Sequence, residues 1–204
     1  MTTNETTDNG DVRVAANERK PHTGGVPGSE SLYWYVAEVK YNHERLCRSR
    51  VQELGFEAYV ASQTEMHHYD KSHNREVEHI VIPRRVFIRM TDNQRVPLMR
   101  SCSLIYHFMT DRARTAGSTN QRAYAMVPDY QMRDLQYMLR QAGNPVSFTD
   151  QPLRLGERVR VVRGPLKGLV GQFLRDATAS HIVITINGLG CAMTSIEKDD
   201  VTRI

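Results

Sequence analysis

Arginine, lysine and histidine side chains gather in two stretches of the first half of the chain. Their positive charge suits phosphate groups, and a guanidinium plane also stacks on splayed nucleic-acid bases. The predicted nucleic-acid-binding residues are Lys40, His43, Arg45, Arg48, Arg84, Arg85, Arg95 and Arg100. An ordinary solvated charged face is the alternative, and it is favoured for Arg50 and for any arginine that pairs with Glu44 or Glu53.

Further histidines concentrate in one polar segment, where His67, His68 and His73 raise the question of a metal site. They lack the H-E-x-x-H spacing and nearby cysteines, and Asp70 is the only carboxylate between His67 and Glu76. Because zinc sites need several suitably spaced ligands, we expect no metal. The sequence also holds no G-x-S-x-G, P-loop or dinucleotide fingerprint, so we expect no cofactor and no enzymatic activity.

Composition narrows the class of protein and its compartment. A formal net charge of +4 and a pI near 9.0 favour a polyanionic partner. Three widely spaced cysteines, Cys47, Cys102 and Cys191, argue against a disulfide framework and favour a reducing cytoplasm. No apolar run approaches the ~20 residues of a membrane span, and the N-terminus lacks a signal-peptide core. We therefore expect a cytoplasmic monomer that makes no membrane contact.

The first half of the chain alternates between strand and helix patterns. Residues 1–31 are polar and predict a mobile tail, because they cannot bury enough apolar surface to offset the entropy of ordering. Residues 32–39 are aromatic and β-branched, which predicts a strand. An amphipathic helix follows. Its inward face is predicted to hold Leu46, Cys47, Val51 and Leu54, and residues 56–61 alternate again, which predicts a second strand.

The remaining patterns complete one domain over residues 32–143. Polar residues 63–78 predict a protruding hairpin or loop, and residues 80–90 predict a strand that Pro83 interrupts. A short helix, another strand and a longer helix follow. This order predicts an α+β fold in which helices flank a sheet, followed by a linker at residues 144–152.

A basic strand and a glycine-rich turn dominate residues 153–204. Residues 158–161 alternate arginine and valine, which is typical of a strand with one buried face, and a Gly-Pro pair then ends the strand. The residues of this pattern are Gly156, Arg160, Gly164, Pro165, Lys167, Gly168 and Gly171. They resemble the KOW motif, which implies a small five-stranded β-barrel. An unrelated small barrel with a Gly-Pro turn is the alternative.

Four short stretches of the first domain resemble the N-terminal domain of the NusG family. They are W-Y-V at residues 34–36, P-R-R-V-F-I at 83–88, H-F at 107–108 and V-P-D at 127–129. Together with the KOW-like segment, the resemblance covers residues 32–204. It implies a transcription factor that holds RNA polymerase and DNA together without catalysis.

The resemblance implies two binding surfaces on the first domain. An apolar depression would receive the clamp helices of RNA polymerase, and its predicted residues are Ile82, Pro83, Phe87 and Phe108. Burying a few such side chains would supply much of the binding energy. The alternative for Phe87 and Phe108 is a role in the core. The basic residues would face the non-template DNA strand or nascent RNA, and the polar hairpin would touch polymerase across the DNA cleft.

Departures from the general family pattern indicate a specialised member. This chain has Ile82-Pro83-Arg84-Arg85 where the general factor has aromatic-Pro-Gly-Tyr, and Ile186-Asn187-Gly188 where it has Ile-Phe-Gly. The family uses that phenylalanine to engage a ribosomal protein or Rho, so Asn187 argues against both contacts. The layout is similar to that of UpxY-type antiterminators of capsular polysaccharide operons. The alternatives are a general elongation factor and a ribosome-associated RNA-binding protein.

Overall fold

The computed structural model describes residues 31–70, 73–111, 123–175 and 179–204, with the side chains of residues 65–75 excluded. The predicted mobile tail therefore lies outside the described residues, apart from Ser31. No helix in the described ranges is long and apolar enough to cross a membrane.

Thirteen strands and three α-helices make up the described chain. In chain order they are β1 (Tyr33–Val39), α1 (Glu44–Glu53), β2 (Glu57–Tyr59), β3 (Ser62–Asp70), β4 (His73–Ile80), β5 (Arg85–Met90), α2 (Arg95–Ser101), β6 (Ile105–Phe108), β7 (Met126–Val127), α3 (Asp129–Gln141), β8 (Val146–Thr149), β9 (Arg158–Val161), β10 (Val170–Arg175), β11 (Ser180–Ile186), β12 (Gly190–Ser195) and β13 (Val201–Arg203). Up to α3, their order agrees with the predicted one, with the short strand β7 added.

The first sheet is organised around β1, the aromatic and β-branched run. Its strand order is β2-β5-β1-β6, all pairs are antiparallel, and β7 also pairs with β1. Because successive side chains of a strand point to opposite faces, β1 contributes to two cores. Trp34 and Val36 pack on the face that carries α3, whereas Tyr35 and Ala37 pack with residues of α1 and α2 on the other.

Helix α1 buries a different set of residues from the predicted one. Cys47 and Val51 are buried as expected, but Leu46 is 57% exposed and Leu54 is 41% exposed. Glu44 is buried in their place, with 1% of its surface exposed. The buried positions follow the three- and four-residue steps of one helix face, and Leu46 lies about 100° away from Cys47 around the axis. The buried face of α1 therefore includes an acidic side chain, whereas hydrophobicity alone had assigned Leu46 and Leu54 to that face.

Strands β3 and β4 form a separate two-stranded antiparallel sheet. This is the hairpin alternative of the prediction for residues 63–78. Its base is tied to the rest of the molecule, because Gln63 is 4% exposed and donates to the Asn144 carbonyl at 3.0 Å. The same side chain accepts the Val146 amide N–H at 2.8 Å.

The C-terminal sheet is open and has six strands in the order β13-β9-β10-β11-β12-β8. The predicted five-stranded barrel is therefore not confirmed. The additional strand, β8, lies inside the predicted linker and pairs antiparallel with β12. The two prolines that suggested a linker, Pro145 and Pro152, flank β8, where they leave its ladder hydrogen bonds intact.

A close approach of two backbones explains one glycine of the KOW-like segment. A Cβ atom on Gly171 would lie 2.6 Å from the Val183 carbonyl oxygen, which is shorter than real Cβ contacts. Glycine has no Cβ atom and therefore permits the two backbones to approach at this position. Arg158 and Arg160 are exposed and Val159 and Val161 are buried, as the alternation predicted.

The two sheets share one hydrophobic core. Helix α3 lies between them, and its inner face buries Met132, Leu135, Met138 and Leu139. These side chains belong to the same cluster as Phe87 of β5 and Val159 of β9. The C-terminal sheet is therefore packed against the N-terminal domain in this structure.

Candidate nucleic-acid and polymerase interface

The four predicted polymerase-binding residues do not form one exposed depression. Ile82 and Phe87 are buried in the core beside α3, with 2% and 0% of their surfaces exposed, and Pro83 is exposed. Phe108 is also buried, at 2%, but it packs edge-on against Tyr35 in the opposite core. In this conformation Phe108 therefore does not share a hollow with Ile82 and Phe87.

Strand register explains why Phe87 and Phe108 are separated. Residues that pair directly across neighbouring strands point to the same face of a sheet. Phe87 pairs with Val36, and Phe108 pairs with Ala37. Val36 and Ala37 are consecutive in β1, so they and their partners point to opposite faces. The polymerase-binding role of Ile82, Pro83 and Phe87 stays a prediction, and contact with the two buried side chains requires the core beside α3 to open.

A reciprocal pair of hydrogen bonds joins α3 to the C-terminal sheet. Gln131 donates from Nε2 to Asn187 Oδ1 at 2.9 Å, and the Asn187 backbone N–H donates to Gln131 Oε1 at 2.9 Å. Asn187 follows β11 in the turn that leads to β12. No pattern in the sequence pointed to Gln131, because a glutamine in an amphipathic helix is ordinarily solvated. Its partner lies 56 residues away in the chain.

A second contact brings the KOW-like turn against the same helix. The Tyr137 hydroxyl donates to the Pro165 carbonyl at 3.2 Å and to the Lys167 carbonyl at 3.0 Å. The backbone of this turn therefore faces the N-terminal domain, while the Lys167 side chain remains exposed. We call the surface that holds these contacts and the Gln131–Asn187 pair the seam.

Three predicted basic or motif residues converge on one carboxylate at the end of β1. Glu38 Oε1 accepts from Arg84 at 2.6 Å, and Glu38 Oε2 lies 3.5 Å from Arg85 Nη1. His107 places Nε2 at 3.3 Å from the same Oε2 atom. Glu38 pairs directly with Arg85 on one side and with His107 on the other, so all three side chains share the α3 face of the sheet. We call Glu38, Arg84, Arg85 and His107 the Glu38 cluster.

A second acidic residue, Glu78, lies beside the arginines of α1. Arg45 donates to Glu78 Oε2 at 2.9 Å. The hydrogen bond from Ser62 lowers the pKa of the Glu78 carboxyl, and the charges of Arg45 and Arg48 lower it further against the opposing effect of partial burial. The Arg48 Nε atom is buried without a hydrogen-bond partner among the described residues. Arg45 is the more exposed of these two arginines, although it forms an ion pair with Glu78.

The four remaining predicted basic residues differ in their exposure and in the contacts that hold them. Arg95 is only 11% exposed, donates to Asp92 at 3.1 Å and stacks 3.5 Å above the Tyr124 ring, so it is held in a structural role. His43 precedes α1, with its ring Nδ1 3.0 Å from the Tyr41 carbonyl oxygen. Lys40 and Arg100 are exposed, and neither forms an ion pair within the described ranges. They are the predicted residues most available to a phosphate.

The V-P-D stretch at residues 127–129 has a structural explanation. Asp129 begins α3, accepts the Trp34 indole N–H at 2.8 Å and pairs with Arg89 at 3.0 Å. The carboxylate also lies at the positive end of the helix dipole. Asp129 therefore fixes the start of α3 to β1 and β5.

No group of three potential metal-binding side chains occurs within the described part of the chain. The side chains of His67, His68 and His73 lie outside it. The expectation that these histidines bind no metal therefore stays a prediction.

Arg84 has a left-handed backbone, with φ +63°, at the position where the general family pattern has glycine. Both Arg84→Gly and Arg84→Val remove the ion pair with Glu38, but only valine strains this backbone. We expect the valine variant to be less stable than the glycine variant by about 2 kcal/mol. Urea denaturation measures the difference, and equal stabilities would contradict the left-handed turn.

A family model described as "NusG: Transcription termination factor nusG" matches residues 32–136. This range spans β1 to the middle of α3 and includes the Glu38 cluster. No curated protein matches the chain.

Two solved structures show a distant likeness to this chain. "Domain interaction in Thermotoga maritima NusG" has a TM-score of 0.46 and 16% identity, and covers 87% of this chain and 99% of that chain. "Crystal Structure of MjSpt4:Spt5 complex conformation A" has a TM-score of 0.24 and 12% identity, and covers 84% of this chain and 97% of that chain. The family match itself extends over slightly more than half of the sequence, and the chain therefore belongs to the NusG family of transcription elongation factors.

Proposed function

We propose that this protein is an operon-specific antitermination factor that binds RNA polymerase and suppresses pausing or termination in surface polysaccharide operons. Family membership supports the polymerase-associated role. The specialised role rests on the two departures from the general pattern, Arg84 in the turn before β5 and Asn187 in the turn after β11.

The observation that carries the proposal is the common face of Arg85 and Phe87. Both lie on β5, two residues apart, so they point to the α3 face of the first sheet. Arg85 belongs to the Glu38 cluster at the rim of that face, and Phe87 belongs to the core beneath α3. Once the core beside α3 opens, an apolar polymerase contact and a basic nucleic-acid contact would lie side by side on one surface.

Asn187 supports a role without the usual partners of the C-terminal domain. Its side chain and its backbone N–H both bond to Gln131 in the seam. A small polar residue there also lacks the apolar area that a phenylalanine would bury against a ribosomal protein or Rho. We propose that the turn after β11 acts within this molecule.

Genome-wide occupancy of the tagged protein tests the specialised role. We expect enrichment at one or a few operons, together with RNA polymerase. Occupancy of most transcribed genes would instead support a general elongation factor. Recovery with ribosomal subunits and without polymerase would support the ribosome-associated alternative.

A further inference from the structure

We propose that the Glu38 cluster is a phosphate-binding site for a nucleic-acid strand, and that the Glu38 carboxylate occupies this site in the free protein. The inference rests on the proposed function for its ligand class, but adds an internal competitor that weakens nucleic-acid binding. A carboxylate and a phosphate both accept charge-assisted hydrogen bonds from guanidinium groups, so one can replace the other.

The cluster is built around the Glu38 carboxylate, and Arg85 Nη1 also donates to the Arg84 carbonyl at 3.2 Å. Glu38 Oε1 accepts from Arg84 at 2.6 Å, and Oε2 faces Arg85 at 3.5 Å and His107 at 3.3 Å. The Glu38 side chain is 15% exposed, whereas those of Arg84 and His107 are 49% and 59% exposed. Arg84 and His107 therefore reach solvent beside the carboxylate, whereas the Arg85 side chain is only 21% exposed.

A buried carboxylate holds the turn that contains Arg84 and leads into Arg85. Glu44 Oε1 accepts the backbone N–H of Arg84 at 2.7 Å, and the Arg84 carbonyl accepts the Val39 N–H at 3.0 Å. These bonds keep Arg84 in its left-handed conformation and direct its side chain back across β1. The arginines are therefore positioned before any ligand arrives, which lowers the entropy cost of binding.

The surroundings extend the site for a polyanion. Lys40 lies two residues after Glu38 and is exposed. Arg45, in α1, is already paired with the acidic Glu78. A nucleic-acid strand that displaces Glu38 would thus have Lys40 as a further positive charge that is not in an ion pair within the described ranges.

Glu38→Gln tests the competition, because glutamine keeps the shape and an acceptor oxygen but removes the charge. The probe is a fluorescently labelled single strand, as DNA and as RNA of the same sequence, titrated by anisotropy at several salt concentrations. We expect Glu38→Gln to tighten binding about fivefold at low salt. The slope of log affinity against log salt should steepen by about 0.7 for each additional phosphate contact.

Glu53→Gln is the matched control. It makes the same charge change and releases Arg50, its exposed partner at 2.8 Å, but it lies at the other end of α1. We expect its affinity to stay within about twofold of the wild type, because screening weakens distant surface charges. Equal effects of the two substitutions, or weaker binding by Glu38→Gln, would overturn the proposal.

Two further variants keep the outcome interpretable. Glu38→Asp retains the charge but shortens its reach, and it should tighten binding less than Glu38→Gln does; it serves as the test if the glutamine variant does not fold. Arg85→Ala could weaken binding while both Glu38 variants leave the affinity unchanged. That result would support nucleic-acid binding at this site and contradict competition by Glu38. No binding by any variant would defeat the site and the nucleic-acid part of the proposed function. A labelled polyglutamate peptide that binds equally well would overturn the ligand class.

Discussion

Replacing Gly188 with alanine is expected to weaken the seam between the two sheets and to lower the free energy of unfolding by about 3 kcal/mol. Gly188 has φ +70°, which L side chains rarely adopt. An added Cβ would also lie 2.8 Å from Ala125 Cβ and 3.2 Å from Ala125 Cα, across the seam. Because Ala125 is fully buried, the turn has to move away, and the neighbouring Asn187 then loses its bonds to Gln131.

Gly168→Ala is the control for the backbone contribution. Gly168 has φ +94°, but its added Cβ would meet no described atom within 4 Å. We expect a loss of about 1 kcal/mol from the left-handed backbone alone. The difference between the two variants therefore measures the contact across the seam.

Urea denaturation gives the stabilities, and fluorescence energy transfer between labels on α1 and β13 reports whether the sheets remain packed together. Gly188→Ala should reduce the transfer at low urea, whereas Gly168→Ala should leave it unchanged. Equal stability losses with unchanged transfer in both variants would mean that Gly188 does not contribute to docking.

Short-range patterns predicted most elements of the N-terminal domain. Aromatic and β-branched composition identified β1, alternation identified β9, and the order of the first helices and strands followed from turn residues and periodicity. These patterns depend on neighbours within one helical turn or a few strand positions. They contain no information on register, so they could not place Phe87 and Phe108 on opposite faces of one sheet.

Long-range partners account for the residues that the patterns misplaced. Glu44 is buried because its acceptor oxygen meets the backbone of Arg84, 40 residues later. Gln131 is buried because Asn187 completes its hydrogen bonds. Strand β8 pairs with β12 although prolines on both sides suggested a linker. For Glu44 and Gln131, the buried side chain bonds to a partner that is distant in sequence, although Glu44 Oε2 has no hydrogen-bond partner among the described residues.

Truncating either phenylalanine should destabilise the protein strongly, but only one truncation should affect the proposed polymerase contact directly. Phe87→Ala and Phe108→Ala each remove a fully buried ring, so we expect losses of about 3–5 kcal/mol for both. Phe87 lies on the α3 face together with Arg85, and Phe108 lies on the opposite face with Tyr35. The two variants are therefore matched in stability and differ in the surface they alter.

Polymerase retention is best compared under conditions where both variants remain folded, as judged by the fluorescence of the single tryptophan, Trp34. We expect immobilised Phe87→Ala to retain at least tenfold less purified RNA polymerase than Phe108→Ala does, since a buried aromatic anchor is worth more than 1.4 kcal/mol in an interface. Equal retention would place the contact elsewhere on the domain. Loss of retention in Phe108→Ala alone would move the contact to the face that carries α1 and α2, where no Glu38 cluster lies beside it.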